Sequence, residues 1–310
     1  MKGTASSHGV VFPGQGSQYA GMADPWVTHP AGRAVLDAAS KTIGRDVVRG
    51  CHDEELLATT EFVQPALLAC EVAAFAVLDD LGASFVGAAG HSLGEFAAVV
   101  AAGACDLVSM LDVVTIRGRA MQRAGEDRPG TMTALVGIDT AHASELCDEV
   151  RGDDVLTVAN ENGPAQTVIS GSVEAVERAE ATAAGRRIRA VRLKVAGAFH
   201  SPLMEPAMAP IVEALSRTQF HALRFPIAEN VTGGLVDDPD EVRDLLGRQV
   251  VSPVRWESCA RALAKAGATT FVEAGPGDVL TRLAKRVAPG TEAVAVGSPE
   301  AAEGFVRSPA

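Results

Sequence analysis

The chain has 310 residues, 47% of them hydrophobic, which is enough for one large or two modest domains with a full core. A net charge of −12 and an aromatic content of 4% argue against nucleic-acid binding, which needs basic faces and stacking platforms. The five cysteines are scattered without a Cys-x-x-Cys pair, so the sequence predicts neither a disulfide framework nor a metal site.

The cellular location is predicted from the same simple features. Residues 1–9 contain one lysine and no apolar stretch, so no signal peptide is visible there. The apolar run over residues 96–105 is too short to cross a bilayer. We therefore expect a soluble cytoplasmic protein that makes no membrane contact.

The first predicted elements alternate between short strands and amphipathic helices over residues 9–125, which is typical of a parallel sheet covered by helices. Residues 9–12 are predicted as the first strand. A second apolar run, residues 85–89, leads into Gly90-His91-Ser92-Leu93-Gly94. An Ala-rich helix without proline is predicted directly after this segment, over residues 95–103.

Ser92 lies in the pattern Gly-x-Ser-x-Gly between a predicted strand and a predicted helix, which indicates a nucleophile elbow. Ser92 and Glu95 also fit a helix capping box, which needs no chemistry. We favour the elbow because a cap does not require glycine at both flanking positions, although the two interpretations can coexist. A second glycine-rich turn, Pro13 to Gln18, lacks the residues of a phosphate-binding loop and is typical of an oxyanion-hole partner.

Residues 131–195 have a different element order. The predicted elements are a strand over 131–138, a helix over 141–151, strands over 155–160 and 165–170, a helix over 172–185 and a strand over 188–195. This is the split βαββαβ unit, with hairpin chemistry at Glu161 to Pro164 and an N-cap at Ser172. It predicts an inserted small subdomain, residues 130–195, within a large subdomain built from residues 1–129 and 196–310.

The α/β pattern resumes after the insertion. Residues 269–273 are predicted as a late strand, and the small and polar residues 297–310 as a loose terminus. His200 lies between a predicted strand and a helix start, where a side chain projects from a rigid frame, so it is the best candidate base for Ser92. The ring of His91, next to the serine, is expected to point elsewhere.

Arg117 lies at the border of the apolar stripe of a predicted helix. An arginine in that position needs a fixed partner, and its planar fork suits a carboxylate. On helix geometry alone, an internal salt bridge and an anionic ligand are equally good explanations.

Five separated motifs give the chain a family resemblance. They are Val11 to Gln18, Gly90 to Glu95, Ile116 to Gln122, Gly197 to Ser201 and Gln249 to Val254. In this order the chain resembles the malonyl-CoA:acyl carrier protein transacylases and the acyltransferase domains of polyketide synthases. The resemblance implies an α/β-hydrolase-like core with a parallel sheet and an inserted ferredoxin-like subdomain.

The resemblance also implies roles for individual residues. Ser92 would be acylated and His200 would be its general base, oriented by a main-chain carbonyl near Gln249 in place of an aspartate. The backbone N–H groups of Gln15 and Leu93 would form the oxyanion hole.

Two further residues would read the acyl group. Arg117 would hold the free carboxylate of malonate, and Phe199 would crowd an α-substituent. Gly197 stands where polyketide-synthase domains often have histidine or tyrosine, which resembles freestanding enzymes.

The expected reaction is a ping-pong transfer with no permanently bound cofactor. The donor is a coenzyme A thioester, and the acceptor is the phosphopantetheine thiol of an acyl carrier protein. Such carriers are acidic, so we expect a local basic docking patch in the segment 186–194, for which a solvated strand face is the alternative. Other functions stay open: a serine esterase or thioesterase, a carrier-binding protein without activity, or a transacylase for an unusual extender unit or between two carriers.

Overall fold

A computed structural model describes residues 7–307, which contain one six-stranded and one four-stranded sheet. The strands are His8–Phe12 (β1), Gly87–Gly90 (β2), Gly130–Val136 (β3), Leu156–Gly163 (β4), Gln166–Ser172 (β5), Arg189–Arg192 (β6), Ile227–Ala228 (β7), Leu235–Val236 (β8), Thr270–Ala274 (β9) and Glu292–Val296 (β10). The predicted mixed α/β class with a parallel sheet is confirmed.

The helices connect these strands. They are Pro30–Ile43 (α1), Val47–Gly50 (α2), Glu54–Leu57 (α3), Thr60–Asp80 (α4), Gly94–Ala101 (α5), Leu107–Asp127 (α6), Thr140–Val150 (α7), Val173–Gly185 (α8), Glu205–Arg217 (α9), Pro239–Gln249 (α10), Trp256–Lys265 (α11), Val279–Val287 (α12) and Pro299–Arg307 (α13). Side-chain caps fix several helix starts. Asp106 accepts from Ser109 N–H at the start of α6, and the predicted cap Ser172 accepts from Ala175 N–H at the start of α8.

The six-stranded sheet has the order β10-β9-β1-β2-β7-β8. Neighbouring strands are parallel except for β8, which pairs antiparallel with β7 at one edge. Phe12 at the end of β1 pairs with Gly90 at the end of β2. The two glycine-rich turns that follow these strands therefore leave the sheet side by side.

The hydrophobic core lies on both faces of this sheet. The larger cluster contains the buried residues of α4, α5, α6 and α9, and the smaller one those of α11 and α12. Helix α4 is long and apolar enough to cross a membrane by length and composition, but 89% of its most apolar window is buried inside the protein. Its apolar character is explained by its central place in the core.

The four-stranded sheet is antiparallel, in the order β4-β5-β3-β6, and α7 and α8 cover one of its faces. The strands and helices follow one another in the predicted order. The turn between β4 and β5 lies at residues 164–165, so the predicted turn over residues 161–164 begins too early. Strand β4 keeps its pairing through Gly163 because two register shifts absorb the irregular segment.

The small sheet is joined to the rest of the chain by main-chain hydrogen bonds. Glu161 N–H donates to the Val254 carbonyl, and Val254 N–H donates to the Ala159 carbonyl, both at 2.8 Å. Strand β4 is thereby fixed against the segment that follows α10.

The expectation of a loose terminus from residue 297 is wrong for α13. Ala302 on this helix is buried, and the Phe305 ring lies edge-on to His8 with 4.9 Å between ring centroids. The small residues that led to this expectation allow a short helix to pack closely against the rest of the protein. Residues 308–310 lie outside the described part of the chain.

Candidate active site

The candidate nucleophile elbow lies where β2 ends and α5 begins. Ser92 has a φ of 53°, in the left-handed region that side chains other than glycine rarely adopt. A Cβ on Gly90 would collide with the backbone of Gly94, and a Cβ on Gly94 would lie 2.5 Å from the Pro13 carbonyl oxygen. Both glycines are therefore required by close backbone approach.

Ser92 Oγ lies 2.7 Å from His200 Nε2. His200 Nδ1 lies 3.1 Å from two main-chain carbonyl oxygens, those of Gln249 and Ser252. Because carbonyl oxygens only accept, the ring proton must be on Nδ1, and Nε2 is left to accept from the serine hydroxyl. This is the tautomer that a general base needs.

His200 is almost fully buried, and burial lowers its pKa to about 3. The positive charge of Arg117 adds to this effect, while the two carbonyl partners oppose it. The imidazole is therefore neutral at physiological pH and available as a base.

Asn230 is a site residue that the sequence did not reveal. Its Oδ1 accepts from Ser92 N–H at 2.8 Å, and its Nδ2 donates to the Gly90 carbonyl at 2.7 Å. One amide thereby satisfies the backbone on both sides of the elbow. Asn230 is 138 residues from Ser92 along the chain, so no local pattern links the two.

Glu95 does not complete a capping box. Its carboxylate points into the core, where it accepts from Asn230 N–H at 2.8 Å and from Gln249 Nε2. The Ser92 N–H that a capping box would satisfy is bound by Asn230 instead. The turn therefore serves the elbow geometry.

Arg117 is 1% exposed and its guanidinium is held by neutral groups. It donates to Gln64 Oε1 at 2.7 Å, to Gln249 Oε1 at 2.8 Å and to Ser92 Oγ at 3.2 Å. Among the ion pairs of residues 7–307 none involves Arg117, so the internal salt bridge considered above does not form. Burial lowers the pKa of Arg117 to about 10, which leaves the group positive at neutral pH.

The turn that contains Gln15 packs against the elbow. A Cβ on Gly14 would lie 2.5 Å from the His91 carbonyl oxygen, so the two turns are in backbone contact. Within residues 7–307 the N–H groups of Gln15 and Leu93 donate to no protein acceptor. Two backbone donors are thus available beside Ser92.

A groove runs along this turn, lined by Gln15, Gln18, Glu54, Leu57, Ala58, Leu193, Lys194, Val195 and Ala196. Phe199, next to the candidate base, is 6% exposed and packs in the large core cluster near Gly197. His91 turns away from the serine, as expected, and its Nε2 lies 2.9 Å from Asn162 Oδ1 on β4.

The basic segment 186–194 is only partly available to a partner. Arg186 is paired with Glu149 and Arg192 with Glu180, each at 2.6 Å. In the described chain Arg187, Arg189 and Lys194 take part in no ion pair, and all three are exposed.

Residues 7–307 contain no group of three or more His, Cys, Asp or Glu placed to hold a metal ion, and all five cysteines are free and buried.

A serine on an elbow, hydrogen-bonded to a neutral histidine, is the arrangement of enzymes that work through an acyl-serine. The chain belongs to the acyl transferase domain family, which it matches over residues 10–301. The family expected from the motifs is thereby confirmed.

The relatives make the family more specific. The malonyl CoA-acyl carrier protein transacylase of Escherichia coli (strain K12) is 38% identical over 298 positions, covering 94% of this chain and 96% of the relative. The crystal structure of malonyl-CoA:acyl carrier protein transacylase from Xanthomonas oryzae pv. oryzae has a TM-score of 0.93 and 39% identity, covering 98% of both chains. A malonyl-transacylase in complex with its type II PKS acyl-carrier protein has a TM-score of 0.93 and 35% identity, covering 97% of this chain and 99% of that one.

Proposed function

We propose that this chain is a malonyl-CoA:acyl carrier protein transacylase of fatty-acid or polyketide synthesis. It takes a malonyl group from coenzyme A onto Ser92 and passes it to the phosphopantetheine thiol of an acyl carrier protein. The similarity to named transacylases over almost the whole chain supports the reaction. The single observation that supports malonyl as the acyl group is the position of Arg117. It is a buried cation beside the nucleophile and has no carboxylate partner.

In the first half-reaction Ser92 Oγ attacks the thioester carbonyl carbon while its proton passes to His200 Nε2. The carbonyl electron pair moves onto oxygen, where the N–H groups of Gln15 and Leu93 stabilise it. One such donor is worth ~10²–10³ in rate. The carbon–sulfur bond then breaks, and the coenzyme A thiolate takes the proton from His200, leaving malonyl-Ser92.

The second half-reaction runs the same steps with the carrier thiol. His200 removes the thiol proton, the sulfur attacks the serine ester, and the Ser92 alkoxide recovers the proton as it leaves. The carbonyls of Gln249 and Ser252 stabilise the imidazolium in both halves, in place of a carboxylate.

Arg117 would bind the free carboxylate of malonate in a bidentate pair. Its hydrogen bond to Ser92 Oγ is the longest of its three, so this is the one that the substrate carboxylate replaces. Phe199 would restrict substituents on the malonyl α-carbon, an effect worth ~1–3 kcal/mol per methyl group.

Intact-protein mass spectrometry tests this function. The protein is mixed with malonyl-, methylmalonyl-, hydroxymalonyl- and acetyl-CoA in parallel, with Ser92→Ala as the matched control. We expect a malonyl adduct that forms fastest in the wild type and is absent in the control. No covalent adduct with any donor would refute the mechanism, and adducts that hydrolyse without reaching a carrier would indicate a thioesterase.

For the carrier protein we propose a docking surface made of Arg187, Arg189 and Lys194. Lys194 lines the groove beside Gln15, so the surface adjoins the path by which a thiol would enter. Opposite charge speeds such encounters in a salt-dependent way. We expect Arg187→Glu with Arg189→Glu to slow carrier acylation and weaken its salt dependence, whereas Lys265→Glu, outside the groove, should not. An unchanged rate and salt dependence in the double variant would refute this surface.

We also propose the finer architecture and location. The strand order β4-β5-β3-β6 supports a ferredoxin-like subdomain, residues 130–195, inserted in an α/β-hydrolase-like core formed by 1–129 and 196–310. Free cysteines favour the reducing cytoplasm. The coenzyme A thioester and the phosphopantetheine of the carrier enter as substrates, with no permanent cofactor.

A further inference from the structure

A fully buried carboxyl group, that of Glu95, lies behind the nucleophile and contacts two residues of the site, Asn230 and Gln249. Glu95, in the first turn of α5, accepts from the backbone N–H of Asn230, the residue that clamps the elbow. Its other oxygen accepts from the side-chain Nε2 of Gln249. The proposed reaction does not use Glu95 directly, yet it costs free energy to bury a carboxylate in this place.

The contacts of Gln249 fix the orientation of its side-chain amide. Nε2 donates to a Glu95 carboxyl oxygen and to the Ser92 carbonyl, and the carbonyl oxygen can only accept. The amide oxygen must therefore point the other way, where it accepts from Arg117 Nη2 at 2.8 Å. Without a carboxylate at position 95 the amide loses a charge-assisted hydrogen bond, the strongest interaction that fixes this orientation.

The same arrangement keeps the Glu95 carboxyl one residue away from Arg117. The guanidinium is held by two amide oxygens, those of Gln64 and Gln249, which orient it without neutralising it. A carboxylate in direct contact would form an ion pair and compete with an incoming substrate carboxylate. Gln249 thus transmits the orienting effect of Glu95 and keeps the Glu95 carboxyl out of direct contact with Arg117.

We propose that Glu95 is a positioning residue that sets acyl selectivity: through the side-chain amide of Gln249 it holds Arg117 in place and unpaired for a substrate carboxylate. This inference rests on the proposed function. It assigns to Glu95 a role in choosing dicarboxylic over monocarboxylic acyl groups, beyond its support of the elbow through Asn230.

The first test is Glu95→Gln, compared with Glu95→Asp and with Glu229→Gln, whose carboxyl is buried close to Glu95. Acylation of Ser92 by malonyl-CoA and by acetyl-CoA is followed by intact-protein mass spectrometry, and folding by thermal unfolding. We expect the malonyl-to-acetyl ratio of kcat/KM to fall by roughly tenfold in Glu95→Gln, the loss of one charge-assisted hydrogen bond. Glu95→Asp and Glu229→Gln should keep most of the ratio.

The second test exchanges the two side chains in Glu95→Gln with Gln249→Glu. This variant rebuilds the donor–acceptor pair in reverse, so thermal stability should recover toward the wild type even if the single variant folds poorly. It also places a carboxylate directly on Arg117, so malonyl acylation should stay low. A ratio restored to the wild-type value in the exchange variant would overturn the inference, as would an unchanged ratio in Glu95→Gln.

These outcomes are distinguishable from failure of the proposed function. If wild-type protein forms no malonyl-Ser92 adduct, the function itself is wrong. If the wild type is acylated by malonyl-CoA and Glu95→Gln keeps its preference, only the role of Glu95 is wrong.

Discussion

Ser92 and His200 share a backbone conformation that is unfavourable for their residue types. Their φ angles are 53° and 59°, and such conformations cost of order 1–3 kcal/mol each. Two hydrogen bonds hold these conformations, one from Ser92 N–H to Asn230 Oδ1 and one from His200 Nδ1 to the Gln249 carbonyl. Their effect is to bring Ser92 Oγ and His200 Nε2 to 2.7 Å, the distance that the proposed proton transfer requires.

The lowered pKa of His200 makes a prediction about pH. The proposed base acts in its neutral form, and the pKa of His200 is lowered to about 3, so acidification should not remove the base until well below neutrality. We expect kcat/KM for malonyl transfer to show no loss from His200 protonation between about pH 5 and 8. Single-turnover acylation across this range measures it. A loss centred near the ordinary histidine value, about 6.5, would contradict the prediction.

Arg117→Gln is expected to change which acyl group is accepted. The variant loses the cation but keeps a polar side chain, so malonyl acylation should fall on the order of 100-fold, the worth of a charged bidentate pair. Acetyl acylation should fall far less or rise. Competition between the two donors, read by mass spectrometry, measures the ratio. An equal fall in the acylation rate with both donors would mean that Arg117 supports the structure of the site but does not recognise the carboxylate.

At the residue scale, sequence patterns predicted the groups that lie in local motifs. Ser92 and His200 stand in short segments with glycine turns or a helix start, and these features are visible in the sequence. Gln64 and Asn230 were not predicted, since they meet Arg117 and Ser92 across 53 and 138 residues. Side-chain partners at such distances depend on the packing of whole elements.

At the scale of elements, the turn between β2 and α5 is determined by backbone approach more than by side chains. Its neighbour on the sheet is the turn after β1, and a Cβ on Gly14 or Gly94 would enter the backbone of the opposite turn. The two loops therefore support each other through direct main-chain contact.

This contact predicts the effect of an added methyl group. Gly94→Ala should destabilise the protein by about 1–3 kcal/mol or more, because the Cβ would lie 2.5 Å from the Pro13 carbonyl oxygen. It should also abolish acylation, since the elbow must shift. Denaturant unfolding and adduct formation measure the two effects. Gly185→Ala is the control: a Cβ there has no neighbour within 4 Å, so stability should be unchanged or higher.

Element order was more predictable than element ends. The small sheet follows the predicted βαββαβ order, because strand and helix periodicities are local properties. The end of β4 was predicted too early, because the register shifts in this strand allow the segment Asn162-Gly163 to stay in the sheet. Helix α13 was missed because its stability comes from packing beside β1 and β10 rather than from its own composition.

At the scale of the whole molecule, the net charge of −12 is accompanied by carboxyl groups buried inside the core. Glu71 on α4 is fully buried, and burial together with nearby Glu273 raises its pKa well above the usual range. Burial also raises the pKa of Glu273, against the effect of its hydrogen bonds from α12. Burial therefore shifts both carboxyl groups toward the protonated form in the folded protein, and Glu71 the more strongly.

Global stability should therefore depend on Glu71 and on pH. A raised folded pKa means that the native state binds the proton more tightly, so this contribution is complete below the unfolded value, about 4.3. It is lost by ~1.4 kcal/mol per pH unit as pH rises toward the folded value. We expect Glu71→Gln to gain stability relative to wild type between pH 5 and 8. Urea unfolding measures this, with the exposed Glu145→Gln as control, and a pH-independent difference would contradict it.

Strand β4 pairs with β5 in the small sheet, and it also contacts residues of the candidate active site. Asn162 on it holds the ring of His91, and its main chain is hydrogen-bonded to Val254, just beyond the carbonyls that hold His200. The four-stranded sheet is therefore not structurally independent of the rest of the chain. A chimera that takes residues 130–195 from a relative therefore has to take the matching segment 249–254 as well. Otherwise the boundary between the two parent sequences falls among the contacts that hold His91, next to Ser92, and His200.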